Sequence, residues 1–227
     1  MPERSQPLAV LTSGGLDSAI LLAESCRAHP RVTPLYVRFG LHWEDAEQEY
    51  LRRFVAAVPG AQPVVTLRMP VEDLYDPGHW SRTGQGVPEA GTPDEAVFLP
   101  GRNALLLVKA VLWCHLHGVP WLAMAPLECN PFPDGTLEFL RGYTAIVSQG
   151  VSGSVRLHAP YRSLSKVEVI RKGREMGLPL EWTFSCIRPE GGRHCGDCGK
   201  CAERRQAFRD AGVSDPTDYA RSLPCTA

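Results

Sequence analysis

The chain has 227 residues, 44% hydrophobic and 22% charged, with a formal net charge of −1. That length suits one α/β domain with a small appendage, and the composition excludes a disordered or fibrous protein. A protein built mainly to grip nucleic acid shows a basic surplus, which is lacking here, although a local basic patch stays open.

Residues Met1 to Ala9 hold no apolar core long enough for a signal peptide. The most apolar stretch, Ala104 to Cys114, is interrupted by Lys109 and is about half the length that crosses a bilayer. These features predict a soluble, cytoplasmic protein without a membrane partner. In a reducing compartment the eight cysteines read as metal ligands or small buried groups rather than disulfides.

In chain order, Pro7–Thr12 reads as a buried strand and Asp17–Ala28 as a helix. Val32–Phe39 is a second strand. Trp43–Ala57 is a helix with Tyr50, Leu51, Phe54 and Val58 inward, and with Glu44, Asp45 and Glu47 on a wet face. Val64–Met69 is a third strand. Residues 70–98 are long, polar and rich in Gly and Pro, as a lid, a binding loop or a disordered segment would be. Asn103–His117 is almost wholly apolar and should lie buried between layers. Pro120–Ala125, Leu137–Gln149, Val155–Ala159 and Lys166–Met176 continue as strand, helix, strand and helix. Repeated β-α units predict an α/β fold, a mostly parallel sheet flanked by helices.

Ser13-Gly14-Gly15-Leu16-Asp17-Ser18 follows a strand and opens a helix. Glycines there allow positive φ and close backbone approach, and helix N-terminal amides favour an anion. Ser13 and Ser18 add hydroxyls. Asp17 fits a phosphate site when a cation such as Mg²⁺ stands between carboxylate and phosphate. The plainer reading is a Gly-Gly turn capped by Asp17 or Ser18. The GxxxxGK[ST] spacing of the other common phosphate loop is absent.

Cys186, Cys195, Cys198 and Cys201 have spacing that closes a tetrahedral Zn²⁺ site, with Gly196 and Gly199 at the turns. Four thiolates leave no open coordination position, so the role is structural. An iron–sulfur cluster or redox-active thiols are the rivals. His194 reads as a bystander.

The SGGLDS loop resembles the pyrophosphatase loop of the adenine-nucleotide α-hydrolase fold, whose members cleave ATP between the α- and β-phosphates. Over almost its whole length the chain resembles the 7-cyano-7-deazaguanine synthase family. The likeness runs through Phe39-Gly40-Leu41-His42, Leu99-Pro100-Gly101-Arg102-Asn103, Leu164 to Glu168, Ser185-Cys186 and His194 to Cys201. It implies adenylation of a carboxylate on a 7-deazaguanine ring, displacement of AMP by ammonia to give an amide, and a second activation that yields a nitrile. It implies ATP, Mg²⁺ and Zn²⁺ as cofactors, a domain over 1–183 with a zinc segment over 184–227, and it suits a homodimer. Leu11 and Ser13 to Ser18 would bind ATP with Arg102. Asp17, Ser18, Arg102 and Lys166 would carry the chemistry. His42, Phe132 and Asp134 would meet the substrate, and Cys186, Cys195, Cys198 and Cys201 the zinc.

Each residue keeps a plainer role beside this one. Arg102 could pair with a surface carboxylate, Lys166 occupy a solvated helix start, His42 pack on the sheet, and Asp134 cap the following helix. The family's SGYPDCR segment reads Asn130-Pro131-Phe132-Pro133-Asp134-Gly135-Thr136 here, so the substrate half departs from the pattern while the ATP half does not. A ligase joining the activated acid to a peptide or protein amine, a tRNA sulfur-insertion ATPase and a regulatory nucleotide-binding module are the alternatives. With one α/β domain and its tail filling the chain, ammonia would come from solution or a partner.

Overall fold

Strands β1 (Leu8–Leu11), β2 (Val32–Arg38), β3 (Val65–Arg68), β4 (Trp121–Ala123) and β5 (Arg156–His158) form one sheet in the order β3-β2-β1-β4-β5. All four pairings are parallel. The computed structural model describes residues 2–221; the remainder of the expected zinc segment, including Cys225, lies outside the described residues. Every strand expected from the apolar runs is present, trimmed at its ends.

The inner strands β1, β2 and β4 are covered on both faces, as parallel strands usually are, while the edge strands leave Thr66, Arg68 and Arg156 exposed. Alternate residues of β1 serve opposite layers. Ala9 and Leu11 pack with Leu107, Ala110, Val111 and Leu140, while Leu8 and Val10 pack with Ile20, Leu51, Val169 and Phe208. Helices α1 (Leu16–Ala28), α2 (Glu44–Ala56) and α6 (Lys166–Glu175) bring the second set. Helices α4 (Arg102–Leu116) and α5 (Leu137–Gly150) bring the first. A short helix α3 (Trp80–Thr83) lies in the 70–98 segment, and α7 (Gly199–Ala211) follows the last cysteines. Among the described residues no helix is long and apolar enough to cross a membrane.

Two expectations are corrected. Helix α4 is not enclosed between layers: Leu107, Ala110, Val111 and Cys114 are buried, but Leu112 and Trp113 are half-buried and Leu116 is 77% exposed. Its apolar residues run all the way round, while the protein supplies cover on one side. Helix α2 differs the other way. Glu44 and Glu47 are buried, and Asp45 alone of the three stays wet.

The 70–98 segment is an ordered strap. Val71 and Val87 are buried, and the Ser81 side chain is enclosed. Glu89 forms a bridge with Cys198, and the Gly199 amide donates to the Pro88 carbonyl at 3.1 Å. The strap therefore ties the end of β3 to the cysteine segment.

Helix α6 meets α1 at Gly173, where a methyl group would sit 2.7 Å from Ile20 Cδ1 and 3.1 Å from Leu180 Cδ2. Alanine favours helix over glycine, but this contact overpacks a buried seam. Gly173→Ala should lower stability by about 1–3 kcal/mol. Urea denaturation checks it: a midpoint equal to or above the parent's would show that the seam relaxes.

Candidate active site and metal centre

Strand β1 has β2 on one side and β4 on the other, so the sheet changes direction of growth beside β1. Ligand crevices in open parallel sheets form at the carboxyl ends of strands at such a point. A cleft of about 160 Å³ opens there, lined by Leu11, Ser13, Gly15, Asp17, Ser18, Tyr36, Glu47 and Arg102, and by Met124 to Pro126 beyond β4.

The phosphate-loop expectation takes definite form. Gly14 has φ 73°, whereas Gly15 is extended at φ −69°, so only the first glycine uses left-handed backbone. A methyl group at Gly14 would also lie 3.1 Å from the Glu47 carbonyl, so the position is closed twice. The Ser18 hydroxyl donates to the Gly15 carbonyl and accepts from the Ser13 amide at 3.1 Å, which locks the turn. No side chain caps the start of α1. Its first-turn N–H groups thus remain free for an anion. Leu11, Ser13, Gly15, Asp17 and Ser18 line the cleft. Gly14 shapes the turn from behind, and Leu16 turns into the core.

Lys166 pairs with Asp17 through Oδ2, while Asp17 Oδ1 is buried without a partner. Lys166 starts α6 under a complete capping box of Ser165 and Glu168, so that helix end is satisfied without it. The orphaned oxygen fits a Mg²⁺ ligand, since that ion takes one or two carboxylates together with phosphate oxygens.

A second chamber adjoins the first. Trp43, Trp80, Phe98, Phe132, Asp134, Ile187 and Lys200 line it, and Arg102, Asn103 and Asn130 line both. Two stacked aromatic pairs form its walls: Trp43 on Trp80 with centroids 5.8 Å apart, and Phe98 on Phe132 at 4.9 Å. Arg102 Nε is buried with no partner.

Phe132 and Asp134 therefore stand together, and His42 does not join them. His42 is exposed, and its ring lies over Gly84 of the strap, where a methyl group would be 2.4 Å away. Its neighbour Trp43 reaches the chamber. Asp134 accepts from the Asn103 amide and from Asn103 Nδ2, both at 3.1 Å. It caps α4, thirty-one positions back, and not the following helix, which Thr136 caps through the Phe139 amide.

Glu44 and Glu47 were missed as site-forming residues. The Glu44 carboxylate accepts from the Phe39 and Gly40 amides at 2.7 and 2.8 Å and so fixes the turn after β2. Glu47 accepts from the Tyr36 hydroxyl at 2.6 Å in the cleft wall. Burial pushes its carboxyl up to about 8, against the pull of the Arg102 guanidinium and the Tyr36 hydroxyl.

The four cysteines meet. Sγ atoms of Cys186, Cys195, Cys198 and Cys201 are buried and lie within 4.8 Å of one another. Cys186 to Cys198 and Cys195 to Cys201 are each 3.9 Å. A tetrahedron with Zn–S bonds of about 2.3 Å has edges of about 3.8 Å, so the set fits zinc. Amides of Arg188 and Cys195 donate to Cys186 Sγ, and that of Cys198 to Cys195 Sγ, each at 3.3 Å. Such bonds stabilise thiolates, and Cys198 also stands at the N-terminus of α7. His194 is no ligand: its Nε2 accepts from the Ser185 amide at 3.1 Å, and burial pushes the ring down to about 3, so it is neutral.

Elemental analysis should return about one zinc per chain. Cys198→Ser should lower the thermal midpoint and metal content more than ATP affinity. Iron with a coloured chromophore, or protein without metal, would contradict the assignment.

The family model for queuosine biosynthesis protein QueC matches residues 8–212. A 7-cyano-7-deazaguanine synthase of Xanthomonas oryzae pv. oryzae is 35% identical over 222 residues, covering 93% of this chain and 96% of the relative. One from Xanthomonas campestris pv. campestris is 35% identical over 224 residues, covering 94% and 97%. An NMN synthetase from Francisella tularensis shares the fold at a TM-score of 0.50 with 12% identity, covering 93% of this chain and 79% of that one. With residues 8–212 matched by the family model and relatives 35% identical over 93% of its length, the chain belongs to the QueC family of queuosine biosynthesis proteins.

Proposed function

We propose that the chain uses ATP to adenylate the carboxylate of a 7-carboxy-7-deazaguanine, lets ammonia displace AMP to give the amide, and activates the amide in turn to give the nitrile. Pyrophosphate leaves at each activation. The observation that carries this reading is the pair of chambers meeting at Arg102, one fitted for phosphates and the other walled by aromatic rings.

A carboxylate is a poor electrophile, and adenylation gives it a leaving group. The enzyme's part is then positioning and electrostatic stabilisation. First-turn amides of α1, with the Ser13 hydroxyl, hold the phosphates, while the Ser18 hydroxyl keeps the turn that presents them. Arg102 balances the approach of two anions, the substrate acid and the nucleotide. Lys166 neutralises Asp17, which lessens repulsion at the loop. Asp17 would hold Mg²⁺, which neutralises charge on the departing pyrophosphate. Phe132 offers its ring to the flat heterocycle. Asp134, still with free lone pairs, accepts from ring N–H groups.

Residues 1–183 act as the ATP-handling domain, and the segment from 184 is the zinc-pinned cover. The homodimer would use the outward face of α4 and α5, where Leu116 and Ile146 are exposed. Family membership favours ammonia over a peptide amine or a tRNA sulfur acceptor.

Incubation with ATP, ammonium and the deazaguanine acid should release AMP and pyrophosphate and yield the nitrile by mass spectrometry. ADP, or an acid left unconverted, would contradict it. Asp17→Ala should slow turnover at least about 10²-fold.

A further inference from the structure

We infer that Glu47 is the proton acceptor for the nitrogen nucleophile, taking a proton from ammonium at the cleft wall so that free ammonia meets the acyl adenylate. The inference rests on the reaction proposed above and adds a residue to it. Ammonium is overwhelmingly the form present near neutral pH and has no lone pair with which to attack. A site that uses it therefore needs a base and a place that attracts a cation.

Glu47 lies at the loop that would hold the phosphates. A methyl group at Gly14 would come within 3.3 Å of its Cγ. The carboxylate projects from α2 into the first cleft, where Arg102 opens toward the second chamber. Its hydrogen-bond partner among the described residues is the Tyr36 hydroxyl, which fixes one oxygen at 2.6 Å and leaves the other for a ligand. Glu44, one helical turn back, is spent on the Phe39 and Gly40 amides, so the two buried carboxylates have separate tasks.

The groups facing Glu47 come from three elements. Arg102 on α4 favours its charged form, as does the hydrogen bond from Tyr36 on β2, while Glu44 on its own helix disfavours it. Burial outweighs them, and the carboxyl titrates near 8, where a base can both exist as the anion and pull a proton efficiently.

The step balances. The Glu47 carboxylate takes one proton from ammonium. The ammonia nitrogen forms a C–N bond to the adenylate carbonyl, and the C–O bond to the AMP phosphate breaks with its electron pair on AMP. The tetrahedral nitrogen loses its second proton to water, as Glu47 later loses the first. No oxidant or reductant takes part.

The test is Glu47→Gln, which keeps shape and the Tyr36 contact. Acid-dependent exchange of labelled pyrophosphate into ATP needs no base and should stay near the parent's. Hydroxylamine, a free base at neutral pH, should still capture the adenylate at nearly the parental rate. Ammonia-dependent AMP release should fall at least about 10²-fold. In the parent this rate should rise with pH through about 8. Tyr36→Phe removes a bond that stabilises the anion, so the same rise should move to higher pH. A Gln variant with ammonia-dependent release within threefold of the parent would overturn the assignment. So would equal loss of exchange, hydroxamate and amide formation, which marks a role in binding ATP or folding. A parent without acid-dependent exchange would remove the proposed function itself, and this inference with it.

Discussion

The Phe184 amide donates to the Gly14 carbonyl at 2.8 Å. That bond joins the turn of the SGGLDS loop to a stretch of chain two residues before Cys186, the first of the four clustered cysteines. Gly14 is left-handed and is pressed from the other side by Glu47, so the loop is held between α2 and the cysteine segment. A short glycine turn has little stiffness of its own, because glycine restricts its backbone least. Its shape is imposed by what surrounds it. The four-cysteine cluster is thus tied to the candidate phosphate loop, although none of its sulfurs lines either chamber.

The same segment is fastened in depth. Arg204 of α7 is almost fully buried and donates to Thr183 Oγ1, Ser185 Oγ, the Leu180 carbonyl and Thr217 Oγ1. A buried guanidinium is tolerated only with its donors occupied. Here it draws the chain before the cysteines, helix α7 and the stretch after α7 to one point. The strap adds its bridge at Cys198, and the Ala220 and Arg221 amides return to the His194 and Cys195 carbonyls. Cover, metal centre and phosphate loop therefore form one connected unit. The strap contributes Trp80 and Phe98 to the second chamber, so that chamber's aromatic wall and the four-cysteine segment are coupled as well.

Much of this was legible in the amino-acid sequence wherever the chemistry sits within a few consecutive residues. The strand–loop–helix around Ser13 to Ser18 is local, and the cysteine spacing nearly encodes its own geometry. Glu47 was misread because three acidic residues near a helix start look solvated. The signal was present nonetheless: Glu47 shares a helical stripe with Tyr50, Leu51 and Phe54, the residues assigned to the inner face. The pattern puts Asp134 in the pocket or, more plainly, at the start of the following helix; neither reading reaches its partner Asn103, which is distant in sequence. His42 and Trp43 differ by one position, and which one reaches the chamber depends on the strap folding over Gly84, a contact that no local pattern carries. The all-round apolar surface of α4 predicted enclosure, since composition alone does not say what provides the cover.

Hydrogen–deuterium exchange of the phosphate-loop amides, compared between zinc-loaded and chelator-stripped protein, tests the central coupling most directly. Metal removal should raise exchange at Phe184 and, to a similar degree, across Ser13 to Ser18, while the strand β1 amides stay protected. A loop that keeps its protection while the cysteine segment exchanges freely would show that the metal centre holds only the tail, contradicting the account.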